Sequence, residues 1–217
     1  MATALVKVYQ NFLLKALNKE IKWAAASPDT MKCTLHTVTY SPNMNTDAYQ
    51  AALTNEVASG NGYTTGGNTL TSVSAALVAA NSLTAWAADT LYQIGNVRKP
   101  VSGNGHVYIV VAVAGDQKSA PVTEPTWPTT AGGTVVDDQV TWAEAGAAVL
   151  KLTGTIPSWT SATFTTRYGV VADTTPGSAA TNPLVALLDF QADQSPSNGT
   201  FAITLDGDGL VVIPIRS

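Results

Sequence analysis

Charged side chains are scarce in this chain: only 12% of its 217 residues are Asp, Glu, Lys or Arg, about half the usual share for a soluble globular protein. The formal net charge is −4 and no basic run occurs, which argues against a nucleic-acid partner, since phosphate binding needs clustered Lys and Arg. Cys33 is the single cysteine, so an internal disulfide is excluded, and assembly in a reducing cytoplasm fits. No apolar run approaches the roughly 18 residues of a membrane span, so a soluble protein with no membrane partner is expected. The opening Met1-Ala2-Thr3-Ala4-Leu5-Val6-Lys7 has no basic region leading into an apolar stretch, and does not read as a secretory signal.

Thr, Ser, Ala, Val and Gly fill the space that charge leaves, a mixture that favours strands and turns over long solvated helices. One helix is expected, over residues 4–22, where Leu5, Val8, Tyr9, Phe12, Ala16 and Leu17 recur at spacings of three and four. Its apolar stripe (Leu5, Val8, Tyr9, Phe12, Leu17) needs a partner, either a sheet of its own domain or a neighbouring subunit. From Met31 the texture changes: Met31, Cys33 and Leu35 alternate with Lys32, Thr34 and His36, as in a half-buried strand. A short helix is expected over 48–57, and Gly60-Asn61-Gly62 with Gly66-Gly67 brackets a tight turn before a strand at 68–74. Further strands are expected near 148–154, 163–172, 184–190, 199–205 and 209–215. Asp206-Gly207-Asp208-Gly209 reads as the hairpin between the last two, and Pro214 as a mark of an edge strand.

Residues 84–147 stand apart, with Trp86, Trp127, Trp142, Tyr92 and Tyr108 concentrated among Pro121, Pro125 and Pro128. Ala-rich segments at 75–80 and 143–148 flank them as stems. The expected architecture is therefore mainly β: a β-sandwich-like host domain with one N-terminal helix, formed by 1–83 and 148–217, plus a small inserted all-β module at 84–147.

The host segments also carry a resemblance. Val8-Tyr9-Gln10-Asn11-Phe12-Leu13-Leu14-Lys15-Ala16-Leu17, Ile21-Lys22-Trp23, Asn55-Glu56-Val57-Ala58-Ser59-Gly60-Asn61-Gly62-Tyr63, Arg167-Tyr168-Gly169-Val170-Val171 and Asn198-Gly199-Thr200-Phe201 occur in the order seen in a family of small tailed-phage virion proteins, which this chain resembles over 1–80 and 148–217. Relatives in that family are described as head decoration, tail-associated or virion proteins. The insert is similar to chitin-binding-like modules, through the run from Trp86 to Arg98, Gly105-His106-Val107-Tyr108, Glu124-Pro125-Thr126-Trp127-Pro128 and Val140-Thr141-Trp142.

Two readings of the insert's rings follow. Sugars stack their C–H faces on flat aromatic rings, so Trp86, Tyr92, Tyr108, Trp127 and Trp142 can form a glycan platform. Alternatively a module of this size uses its aromatics for packing, leaving Trp127, between two prolines, as the ring to be exposed. No catalytic set stands out: Gly-x-Ser-x-Gly is absent, and Cys33 reads as a buried small hydrophobe. No metal pattern is complete either, since Asp206 and Asp208 lack the distal Glu of a calcium loop, and Asp137-Asp138 reads as a hairpin turn. No enzyme activity and no cofactor are expected. The resemblance implies a structural protein on the virion surface, most simply a capsid decoration or cement protein of the head assembled in the host cytoplasm. Its partners would be the major capsid protein or other virion proteins, with a dimer or trimer and a surface glycan as further partners. The alternative is a tail, baseplate or fibre component acting in host recognition.

Overall fold

The computed structural model describes residues 2–23, 27–205 and 209–216. In chain order its elements begin with β1 (Ala2–Val8), α1 (Asn11–Leu17), β2 (Met31–His36), β3 (Asn68–Thr69) and β4 (Thr71–Ala79). Then come β5 (Val97–Arg98), β6 (Val107–Val113), β7 (Thr134–Asp137), β8 (Val140–Gly146) and β9 (Ala148–Thr155). The last are β10 (Trp159–Ala162), β11 (Thr166–Asp173), β12 (Leu184–Gln194), β13 (Gly199–Phe201), β14 (Ile203–Leu205) and β15 (Val211–Ile215). The protein is mainly β, with a single short α-helix among the described residues. Two compact units divide it, residues 1–75 with 152–206 and residues 76–151 with 207–217. The division falls inside β4 and β9, so the Ala-rich stems are strands. Residues 207–217 go with the second unit, not with the host segments as expected; there the Arg216 guanidinium donates to the Glu144 backbone oxygen at 3.1 Å.

The first unit is built on a six-stranded sheet in the order β14-β1-β12-β11-β2-β3. Its central strand β12 is buried without a break from Leu184 to Asp189 and on to Phe190. Tyr9, Tyr40, Val170, Ala172, Leu184 and Leu187 form one core cluster. A chain of rings, Tyr63, Trp159, Phe164, Phe190 and Phe201, forms another, with neighbouring centroids 5.6 to 6.2 Å apart. Both sheet edges are short: β3 has 2 residues and β14 has 3.

The N-terminal helix expected over 4–22 is shorter than its pattern. Residues 2–8 are a strand, paired antiparallel with β12 so that Leu5 lies opposite Asp189, and only Asn11–Leu17 are helical. Thr3, Val6 and Val8 are β-branched and favour extended backbone, and β12 supplies a ladder that a lone helix turn cannot match. The spacings of three and four arise because strand and helix meet within one apolar stretch.

β2 departs from its alternation. Thr34 and His36 are buried together with Cys33 and Leu35, because the segment after β2 folds back over their side. The His36 Nδ1–H donates to the Thr54 oxygen at 2.8 Å, and the Thr34 hydroxyl donates to Nε2 at 2.9 Å. Burial holds the imidazole below its usual pKa, and so neutral. Burial likewise pushes the Cys33 thiol up to about 12, which removes thiolate character. The helix expected at 48–57 is only a 3-10 turn at Gln50–Ala52, since the Gln50 and Ala51 amides donate to Asn182 and Ala179 oxygens instead. The turn at 60–63 is as read: Gly60 and Tyr63 exchange backbone hydrogen bonds, with Asn61 and Gly62 at φ 52° and 85°. The expected hairpin at 206–209 falls on residues 206–208, outside the described residues.

At the end of β11, Asp173 is fully buried near the Asp29 carboxylate, its Oδ1 accepting from Thr175 N–H and its Oδ2 without a hydrogen-bond partner. Burial first, and then the Asp29 carboxylate, push Asp173 from 3.8 up to about 6. A carboxyl raised in the folded state contributes its stability below the unfolded value and loses it as pH rises through the folded value. Asp173→Asn keeps the oxygen that accepts the Thr175 N–H at 2.8 Å and adds an amide donor toward Asp29. We therefore expect D173N to be more stable than the parent by about 1–2 kcal/mol at neutral pH, with the gain vanishing in acid below the ordinary carboxylate range. Thermal melts across pH check both limits.

Candidate functional site

In the second unit a four-stranded sheet, order β5-β6-β8-β7, brings the five aromatic residues singled out from the sequence into one place. β8 alternates as a half-buried strand should, presenting Val140, Trp142 and Glu144 inward. Opposite them β6 presents Tyr108 and Val110, also buried. Trp86, Tyr92, Tyr108 and Trp142 make a core with Val110 and Val140, and Trp127 packs against it half-buried. Ring centroids lie 4.8 Å apart for Tyr92–Trp142, 4.4 Å for Tyr108–Trp127 and 5.5 Å for Trp127–Trp142, two of them edge-to-face, the arrangement the ring quadrupoles favour.

Each polar tip in that core is satisfied. The Trp86 and Trp142 indole N–H groups both donate to Asp137 Oδ2, at 2.7 and 3.0 Å, while Ala120 N donates to Oδ1 at 2.9 Å. Tyr108 donates to the Pro128 oxygen at 2.9 Å and accepts from Asn104 at 2.8 Å. The Tyr92 hydroxyl accepts from Ala87 N at 2.9 Å. Trp127 donates to Glu124 Oε1 at 2.8 Å, which fixes the ring at the cluster's rim. No known family, curated protein or solved structure matches this chain.

The residues proposed from sequence therefore separate. Trp86, Tyr92, Tyr108 and Trp142 are packed inside, and a sugar face requires an open ring, so Trp127 alone keeps that geometry. Asp137-Asp138 does form the β7–β8 hairpin, with Asp138 at φ 53°, but Asp137 is also the acceptor that organises the core. Sequence reading missed that second role, as it missed Glu144. The signal for Glu144 was present, since it continues the inward series of Val140 and Trp142.

Glu144 is 3% exposed. Its Oε1 accepts from His106 Nδ1 at 3.0 Å and Gly146 N at 2.8 Å, and its Oε2 accepts from Gly132 N at 3.1 Å. Burial alone would raise this carboxyl, yet His106 and the two backbone donors outweigh it and hold it below its usual value. His106, Glu144, Arg216, Thr129 and Ala131 line a recess of about 200 Å³.

The five docking residues also separate. Leu5, Tyr9 and Phe12 are buried in the first unit's own core, with Tyr9 in a buried hydroxyl contact to Tyr40 at 3.1 Å. Val8 and Leu17 are exposed. The open apolar face of α1 is instead Leu13, Leu14 and Leu17, exposed by 48, 55 and 72%. Among the described residues no group of three or more His, Cys, Asp or Glu is placed to hold a metal, and no helix is long and apolar enough to cross a membrane.

Proposed function

We propose that this chain is a structural protein of a tailed-phage virion, a capsid decoration protein that binds the capsid lattice and carries a carbohydrate-binding-like module. The observation that carries the docking part is the leucine face of α1. Three leucines in a seven-residue helix face solvent, while Phe12 anchors the same helix inward. Exposed apolar side chains gathered on one element mark an interaction surface, and an apolar helix face suits a protein groove. The occupant we assign is a capsid subunit, in keeping with the resemblance of the host segments. A lattice offers the same groove many times, so modest single contacts suffice.

Burying a leucine contributes about 1.5–3 kcal/mol. The double variant Leu14→Asp with Leu17→Asp is thus expected to weaken binding to stripped capsids by about a hundredfold while leaving the melting temperature nearly unchanged. Sedimentation of the chain with capsids reads the first quantity and a thermal melt the second. Unaltered capsid binding in the double variant would sink the helix-docking assignment. Copy number tests the location: hundreds per particle on the head support decoration, and a few at the tail tip overturn it in favour of host recognition.

A further inference from the structure

We propose that the recess formed by His106, Glu144 and Arg216 in the second unit binds the hydroxy-carboxylate edge of an acidic sugar. The inference rests on the reading of this module as carbohydrate-binding, and moves its ligand from the aromatic rings to a polar recess beside them. Glu144 is a charged residue buried in a chain that has few charges, and three donors hold it ionised. With Nδ1 committed to that carboxylate at 3.0 Å, Nε2 is the ring nitrogen left to meet a ligand. Nε2 has no protein partner among the described residues, and the ring lines the recess with about a third of its side chain exposed (30%).

Arg216 completes the site. One guanidinium N–H donates to the Glu144 backbone oxygen at 3.1 Å, which positions the group. Its remaining donors are unpaired among the described residues, and the side chain lines the same recess. A ligand that satisfies both residues must bring a hydroxyl, able to donate or accept, to Nε2 and an anionic acceptor to the guanidinium. Neutral sugars supply only the first and simple carboxylates only the second. A uronic acid has both, with the carboxylate a few bonds from ring hydroxyls. The volume, about 200 Å³, is below the ~300 Å³ of a whole small-molecule site, so the recess takes one edge of a sugar and leaves the rest outside.

The test uses the full chain and three probes, sodium glucuronate, methyl glucoside and sodium acetate, followed through the His106 ring signals by NMR. Glucuronate is expected to shift them saturably with a millimolar Kd, whereas the other two leave them unchanged. Arg216→Ala should weaken glucuronate by roughly tenfold or more, with the melting temperature retained. Absence of a saturable shift by about 50 mM glucuronate overturns the proposal, as does an equal response to acetate or to the glucoside. A glycan array run in parallel separates this failure from that of the broader reading. Binding that depends on Trp127 and not on Arg216 leaves the carbohydrate module standing and removes the recess as its site.

Discussion

Replacing Asp137 with alanine is expected to destabilise the second unit by about 4 kcal/mol, among the largest effects open to a single substitution. The carboxylate is 3% exposed and receives three hydrogen bonds, from two indoles and one backbone amide. Removing it strands two buried indole donors, each at about 1–3 kcal/mol, and a half-buried backbone amide that costs less. The sum is reduced because the vacated space can admit water. Asp138, its neighbour, is exposed in the hairpin at φ 53°, so Asp138→Gly should change stability by less than about 1 kcal/mol and relieve a positive φ. Urea unfolding followed by tryptophan fluorescence compares the two. Equal midpoints for D137A and D138G would mean that the carboxylate does not organise the indoles.

Gly67 is the second position where one atom decides the outcome. Its φ is +66°, and a Cβ there would lie 2.0 Å from the Cys33 backbone oxygen, in the middle of β2. Backbone cannot swing aside as a side chain can, so Gly67→Ala must displace the β2–β3 pairing, in which Cys33 lies opposite Asn68. The expected cost is about 3 kcal/mol or more, from left-handed strain plus the clash. Gly66, one residue earlier, has φ +94° but open space around its would-be Cβ. Gly66→Ala carries only backbone strain, about 1 kcal/mol. Thermal melts of the two alanine variants separate crowding from conformation. A G67A protein that melts with G66A would show that the 67–33 approach relaxes freely.

The two glycines also show what the sequence makes legible. Gly60 to Gly67 reads as a turn because positive φ leaves a compositional mark. The close approach of Gly67 to Cys33 leaves none, since it depends on a strand more than thirty positions earlier. The same distinction runs through the fold. Strands β9, β11, β12 and β15 could be read from β-branched runs and turn residues, and the inserted module from its density of aromatics. The register of β1 against β12 could not, because residues 2–12 satisfy strand and helix periods together and only the partner strand decides between them. Thr34 and His36 looked solvent-facing because alternation assumes an open face. The segment reaching Thr54 closes that face through hydrogen bonds that no local pattern announces.

At the candidate site the residue types were readable and their exposure was not. A tryptophan on a strand looks alike whether it stacks on a sugar or on another ring. Asp137 determines the outcome by accepting both indole hydrogens and drawing the rings inward. Trp127 stays at the rim because its own hydrogen goes to Glu124, 3 residues away. The helix stripe failed for a related reason: a spacing identifies a face but not its occupant. Here Leu5, Tyr9 and Phe12 are covered by the chain itself, and the leucines one position aside are left open.

The six-stranded sheet ends in strands of 2 and 3 residues, β3 and β14. If many copies are crowded on one surface, their local concentration is high enough for any long open strand to recruit its neighbour into a growing fibre. Edges this brief offer too few free amides to begin that growth. At these two ends of the six-stranded sheet, neighbouring copies then meet through side-chain surfaces, whose geometry can close on itself instead of propagating.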